Sequence, residues 1–95
     1  MRGGGAEPFY AVDHLLVRRL QARVGARRER ALEEYRRAGQ PIPQGEDARL
    51  HTEDLMSKVL NQYESELVEN GREPLDEFAR GRLEAALTAR GRRAR

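Results

Sequence analysis

Two histidines are the first residues of this chain with chemical potential. His14 and His51 are its only histidines, and Asp47 stands four residues before His51. Imidazole and carboxylate groups bind zinc when several of them converge at short, regular spacings. Here the two histidines lie on different predicted helices, and no HExxH motif occurs. The sequence therefore predicts no metal site, and the absence of cysteine excludes disulfides and thiolate ligands.

Candidate groups for catalysis and nucleotide binding are equally sparse. Ser57 and Ser65 have no partnered base, so neither is an activated nucleophile. No GxxxxGK[ST] motif is present, and the glycine-rich stretches RGGG and ARGR follow no predicted strand. Three acidic pairs are interpreted as helix starts, where carboxylates complement the helix dipole: Glu46/Asp47, Glu53/Asp54 and Asp76/Glu77. We therefore expect no enzymatic activity and no cofactor for this chain.

Charge is distributed along the chain in blocks. Residues 17–37 contain eight arginines and three glutamates, residues 46–77 are acidic, and residues 80–95 are basic, so the net charge is only +2. Clustered arginines can bind the phosphates of nucleic acids. However, aromatic residues that could stack on bases make up only 5% of the chain, and the acidic block would repel phosphate. A small nucleic-acid-binding helical domain is therefore the alternative function.

Apolar residues recur at helical spacing, and no alternating strand pattern is present. Short connections between amphipathic helices favour antiparallel packing. The predicted fold is all-α, with a flexible leader at 1–10, a small antiparallel three-helix bundle at 11–89 (helices at about 12–38, 46–69 and 74–89) and a flexible basic tail at 90–95. No apolar run approaches the roughly 20 residues that span a bilayer. We therefore expect a cytoplasmic protein.

Glycine and proline mark the predicted helix boundaries. Gly39 and Gly71 suit the ends of the first two helices because glycine adopts positive φ without strain. Pro41 and Pro43 cannot continue a helix, so residues 39–45 form a loop. Pro74 suits the first turn of the third helix, where its missing N–H group costs no hydrogen bond.

Each predicted helix has one apolar face, and the three faces together form the predicted core. Most arginines of the first helix fall outside its apolar face, which favours a solvated face paired locally with nearby glutamates. Arg27 is the exception, since its stem can pack against the core while its head reaches water or a carboxylate. The predicted core residues are Leu16, Val17, Leu20, Val24, Ala31, Tyr35, Ala38, Leu55, Met56, Val59, Leu60, Tyr63, Leu67, Leu75, Ala79, Leu83, Ala86 and Leu87.

Two features of these helices leave alternatives open. Gly25 and Gly81 lie inside helices, where each costs about 1 kcal/mol relative to alanine. They indicate either a close helix–helix contact or bend, or a tolerated cost. Four apolar residues fall outside the core faces and are either scattered or gathered into an interface. These four are Leu15, Leu50, Val68 and Phe78.

Several short segments together resemble a known family. They are VDH at 12–14, the arginine-rich helix that closes with RRAGQP, ED at 46–47, LMSKVLNQY at 55–63 and NGREP at 70–74. Over roughly residues 12–87, the chain resembles the N-terminal helical region of CpaF/TadA-type ATPases, the motors of type II/IV secretion and tight-adherence pilus systems. After Leu87 the sequence departs from the glycine-rich connection of that family.

The resemblance implies a helical docking or assembly module that precedes a cytoplasmic, oligomeric motor ATPase. Its expected partners are the remaining ATPase domains or other components of the secretion system. No catalytic or nucleotide-binding residue is carried over, because the Walker residues of the family lie outside the matching segment.

The charge pattern and the resemblance together predict where a partner binds. Arginines on the exposed face of the first helix are expected to meet an acidic neighbour, mainly setting association rate and register. The predicted partner-binding residues are Arg18, Arg19, Arg23, Arg30 and Arg37.

Overall fold

The computed structural model describes residues 14–93 of the chain. They form three helices, α1 (His14–Ala38), α2 (Glu46–Glu69) and α3 (Glu77–Arg93), and no strand occurs within this described range. All three helices pack against one another. The predicted all-α, three-helix architecture is therefore confirmed. The expected leader at 1–10 and the last two residues of the expected tail lie outside the described residues.

The helices α1 and α2 form an antiparallel hairpin. In the first half of α1, Arg23 pairs with Glu66, and near the end of α1, Tyr35 contacts His51. As residue numbers increase along α1, the residue numbers of its contacts on α2 decrease, so the two helices run in opposite directions. The connection between the two helices spans residues 39–45, as the prolines predict.

Gly39 ends α1 in the predicted way. Its φ angle is +68°, its N–H group donates to the carbonyl of Arg36 (3.1 Å), and the N–H group of Gln40 donates to that of Tyr35 (2.9 Å). This pair of bonds is a Schellman motif, which satisfies two carbonyls that the helix leaves without partners. Gly71, with φ of +74°, ends α2 with the equivalent pair of bonds.

The third helix begins and ends later than predicted. Pro74 lies three residues before α3 rather than in its first turn. Asp76 caps the helix instead, because its Oδ1 accepts a 2.7 Å hydrogen bond from the N–H group of Ala79. The helix continues to Arg93 rather than ending at Ala89, so most of the expected tail at 90–95 is helical.

The core lies where all three helices meet. Each helix contributes two buried residues to the central cluster, and partly buried apolar side chains surround it. All of these were on the predicted core faces. The buried residues are Val17, Leu20, Val59, Leu60, Leu83 and Leu87, and the partly buried ones are Leu16, Val24, Met56, Tyr63, Leu75 and Ala86.

The helix α3 covers only one part of the hairpin. Near its start, Arg80 binds residues in the middle of α2, and near its end the carbonyl of Leu87 accepts a 2.9 Å hydrogen bond from Gln21 on α1. No member of the core cluster lies between residues 25 and 55. The distal end of the hairpin (residues 28–52) is therefore a two-helix structure, and Ala38, predicted to be in the core, is exposed there.

Arg80 connects α3 to α2 through a dense set of polar contacts. Its guanidinium binds the carboxylate of Glu64 at 2.7 Å, the amide oxygen of Asn61 at 2.9 Å and the hydroxyl of Ser57 at 3.3 Å. Only 24% of the side chains of Arg80 and Glu64 is exposed. Partial burial strengthens such a charged pair relative to one in open solvent.

Candidate functional site

The predicted partner-binding arginines do not form one uniform set. Arg19 and Arg30 are separated by about three helical turns and therefore lie on the same side of α1. Arg18 adjoins Arg19, and Arg37 lies about two turns beyond Arg30. These four side chains are exposed, and we refer to them as the outer arginine face.

Arg23 differs from the other four because it binds inside the molecule. Its guanidinium forms two parallel hydrogen bonds with the carboxylate of Glu66 on α2, at 3.0 and 3.2 Å. Both side chains are partly buried. Such two-point pairing is specific and rigid. Arg23 therefore positions α1 on α2, and it is not available to a partner without loss of this pair.

Arg27 has a similar position at the boundary between the two helices. Its guanidinium donates a 3.2 Å hydrogen bond to the side-chain oxygen of Gln62 on α2. The side chain is half-buried. The head of Arg27 therefore binds an amide oxygen, where the sequence predicted water or a carboxylate.

Local pairing accounts for some arginines of α1 and not for others. Arg36 lies 3.2 Å from Glu33, and Arg37 approaches the other oxygen of the same carboxylate at 3.9 Å. By contrast, Arg18, Arg19 and Arg30 form no ion pair or hydrogen bond with any side chain described in residues 14–93. These three exposed guanidinium groups are therefore unneutralised, as is that of Arg28.

The carboxylates of α2 are largely used within the molecule. The carboxylates of Glu46 and Glu53 both pair with Arg49, and Asp54 pairs with Lys58. The pair Glu53/Asp54 lies within α2 and not at a helix start as expected. These residues form ion pairs along one helix, so the acidity of residues 46–77 is less exposed than the sequence suggests.

The ion pair of Arg49 and Glu46 shifts the pKa of both residues. The hydrogen bond from Arg49 lowers the pKa of Glu46, and the nearby carboxylates raise the pKa of Arg49. A lowered pKa means that this pair stabilises the folded state above the ordinary pKa of glutamate and that the contribution disappears as the pH falls. Both groups are fully exposed, so solvent screens the pair and its contribution to the stability of the fold is small.

The four apolar residues outside the core do not form one patch. Leu15, Leu50, Val68 and Phe78 are all exposed, as predicted. Leu50 and Val68 are about 27 Å apart along α2, given a rise of about 1.5 Å per residue. Phe78 lies on α3, where the guanidinium of Arg82 stands 5.6 Å from its ring centroid.

Leu15 is the exception because it borders the outer arginine face. It lies three and four residues before Arg18 and Arg19, and residues at these spacings are neighbours on a helix surface. An exposed leucine beside two exposed arginines offers both an apolar and a charged contact. Leu15 therefore adds an apolar contact beside the outer arginine face.

The two histidines remain far apart. His14 begins α1, whereas His51 contacts Tyr35 near the other end of that helix, about 30 Å away. The part of the chain that the structure describes contains no cluster of three or more residues that could hold a metal ion. Among the same residues, no helix has both the length and the apolar character needed to cross a bilayer.

The depressions lined by described residues include a groove and a small cavity. A groove of about 550 Å³ follows the second half of α2, and it is lined by Asn61, Glu64, Ser65, Val68, Glu69 and Pro74. A smaller cavity of about 70 Å³ lies at the distal end, between α1, the connecting loop and α2. No hydroxyl among the residues that line either depression is hydrogen-bonded to a histidine.

Sequence reasoning did not single out two arginines that matter structurally. Arg80 holds α3 on α2, and its only local signal is the spacing of four residues to Glu84, with which it also pairs at 3.2 Å. Arg28 lines the smaller cavity. Helical spacing places Arg27 on the apolar face but gives no sign that Arg28 borders a cavity, because the cavity depends on the opposite helix.

Comparison with known proteins adds no further identification. No family model, curated protein or solved structure matches this chain. The likeness of residues 12–87 to secretion ATPases therefore rests on the residues quoted for it and stays a hypothesis.

Proposed function

We propose that this chain is a non-catalytic, cytoplasmic helical docking module that binds an acidic protein surface through α1. The observation that carries this proposal is the set of three exposed, unneutralised arginines on the half of α1 that faces away from the core, Arg18, Arg19 and Arg30. Arginine suits this role because its planar guanidinium binds carboxylates at two points.

The packing of α1 fixes the first half of that helix, which carries Arg18 and Arg19. Val17 and Leu20 are almost completely buried, and Arg23 is clamped by Glu66. With α1 held in this way, Arg19 and Arg30 are displaced by about 16 Å along the helix axis. A partner with acidic groups at a matching separation gains from both arginines with little ordering of the helix.

The resemblance to secretion motors supports a more specific form of the proposal. In this form of the proposal, the helical module precedes a motor ATPase and binds an acidic surface of the motor or of another secretion component. Charges at the rim of such an interface mainly accelerate association and select its register. Leu15 adds an apolar contact beside Arg18 and Arg19.

The test compares two charge reversals of equal size. The double variant Arg19→Glu and Arg30→Glu changes the outer arginine face, and the matched control Lys58→Glu and Arg72→Glu makes the same change in net charge on other exposed residues. Fluorescence anisotropy measures binding to polyglutamate and to the motor domain of a tight-adherence secretion ATPase. We expect the first variant to weaken binding at least tenfold and the control to have a much smaller effect. Equal effects of the two variants would contradict a specific docking face.

The same three arginines also permit the alternative function, nucleic-acid binding. A DNA duplex in the same assay separates the two functions. Phosphate contacts release counterions, so the logarithm of the binding constant must fall steeply with the logarithm of salt concentration. Salt-sensitive DNA binding that the double variant abolishes, without binding of either acidic probe, would favour the alternative.

A further inference from the structure

The small cavity at the distal end combines apolar walls with three polar side chains. Its volume is about 70 Å³. Leu32 on α1 and Ile42 and Pro43 in the loop supply apolar surface. Arg28 on α1 and His51 and Thr52 on α2 supply hydrogen-bond donors, and Ala48 completes the lining.

The guanidinium of Arg28 has no partner among the described residues. Arg23 and Arg27, which lie on the same helix, bind Glu66 and Gln62 on α2. Arg28 instead faces a cavity whose lining contains no carboxylate. Within residues 14–93 it therefore retains an unneutralised positive charge beside partly buried apolar surface.

Thr52 adds an available hydroxyl to the same cavity. A threonine inside a helix commonly donates to the carbonyl four residues earlier, as Thr88 does to Glu84 at 2.9 Å. Thr52 forms no such bond, nor any other side-chain hydrogen bond with the described part of the chain. Its hydroxyl is therefore free to donate to a ligand in the cavity.

His51 is oriented by its neighbour across the hairpin. Its ring packs edge-on against Tyr35, with ring centroids 6.0 Å apart and an interplanar angle of 73°. This contact leaves the ring nitrogens without a hydrogen bond to the described residues. The acidic residues nearest in sequence, Glu29, Asp47 and Glu53, do not line the cavity, and Glu53 is already paired with Arg49.

The size of the cavity limits what it can hold. A cavity needs about 10–15 Å³ for each water molecule, so 70 Å³ accommodates about five to seven water-sized atoms. A carboxylate group with its attached carbon fits this space, and a nucleotide does not. The apolar walls suit the aliphatic carbon, and the donors suit the oxygens.

We propose that this cavity binds a carboxylate group, with Arg28 as its principal counter-ion and with Thr52 and His51 as additional donors. The proposal goes beyond the docking function, because none of these residues belongs to the outer arginine face. It assigns a recognition site to the end of the hairpin that α3 does not cover.

The test is a titration of the ¹⁵N-labelled full chain with sodium acetate at constant ionic strength, followed by NMR. We expect saturable shifts of the Arg28 Nε–H and Thr52 backbone signals. The variant Arg28→Gln should weaken acetate binding by at least about tenfold, since it removes a charged hydrogen bond. The matched control is Arg72→Gln, which removes an exposed arginine that belongs neither to the cavity lining nor to the outer arginine face and should leave acetate binding unchanged. Thr52→Val, a variant of similar shape, should weaken binding by a smaller factor.

A second arm identifies the source of the carboxylate. The capped peptide acetyl-Gly-Glu-Gly-amide replaces acetate in the same titration. Saturation by both probes supports an acidic side chain of a protein as the ligand, and saturation by acetate alone supports a small free carboxylate. Unsaturable shifts, or equal losses in the Arg28 and Arg72 variants, would overturn the proposal. Polyglutamate binding by the Arg19→Glu and Arg30→Glu variant tests the docking function separately. Failure of the carboxylate site would therefore not contradict the docking function.

Discussion

Side chains of one type have different roles in this molecule according to the face of the helix that carries them. Leu60 is fully buried in the core cluster, whereas Leu50, on the same helix, is 50% exposed. Arg23 is clamped to Glu66, whereas Arg30 has no described partner. Residue identity alone therefore predicts neither stability nor binding, and burial and pairing decide both.

The leucines give a direct test at this scale. We expect Leu60→Ala to lower the free energy of unfolding by about 2–5 kcal/mol, because it removes buried apolar contacts and leaves a cavity. The control Leu50→Ala is the same substitution on the same helix and should change stability by no more than about 0.5 kcal/mol. Urea denaturation followed by circular dichroism measures both. A loss for Leu60→Ala as small as that for Leu50→Ala would place the core elsewhere.

Glycines have opposite roles inside and at the ends of the helices. Gly25 and Gly81 lie within α1 and α3, and a Cβ atom at either position would meet no atom within 4 Å. This excludes the close helix–helix contact that was one interpretation of these glycines. Gly39 is equally open, but its φ angle of +68° is one that other residues adopt only with strain.

Alanine substitution is therefore expected to change stability in opposite directions at Gly25, inside α1, and at Gly39, which follows its last residue. We expect Gly25→Ala to raise the free energy of unfolding by about 0.5–1 kcal/mol, because alanine loses less backbone entropy in a helix. Gly39→Ala should lower it, since the positive φ angle strains any side chain. Thermal and urea unfolding of both variants tests the contrast. Destabilisation by Gly25→Ala would indicate a bend in α1 that requires glycine.

The whole molecule is unevenly supported, because α3 packs against one part of the α1–α2 hairpin. The part of α1 before residue 25 supplies Val17 and Leu20 to the core, whereas the rest of α1 contains no buried residue. The distal end relies on half-buried contacts such as the Tyr35–His51 pair. The proposed carboxylate site lies at this less supported end.

Hydrogen exchange should report this difference. We expect backbone amides of residues 31–36 to exchange faster than those of residues 20–24 and 59–63, because opening the distal end exposes less apolar surface. The comparison uses positions inside helices, so fraying of the termini does not contribute. Exchange of ¹⁵N-labelled protein in D₂O, followed by NMR, measures each amide. Equal protection along α1 would show that the hairpin opens only as a unit with α3.

Much of the fold was predictable from local sequence because it depends on local physical effects. Helical spacing identified the core leucines, and glycine at the end of an apolar run identified the Schellman motifs at Gly39 and Gly71. The start of α3 was misplaced because proline was weighed above the capping carboxylate of Asp76. The face of α1 that carries the exposed arginines was also predictable, since it is the complement of the apolar face.

The sequence by itself determined the number of helices, their apolar faces and their chain reversals, since these follow from interactions between residues close along the chain. Only the tertiary structure decided which arginines are available. The roles of four arginines of α1 differ because the opposite surface of α2 offers a carboxylate to Arg23, an amide to Arg27, a cavity wall to Arg28 and nothing to Arg30. That pairing depends on the register between helices distant in the chain, which no local pattern encodes.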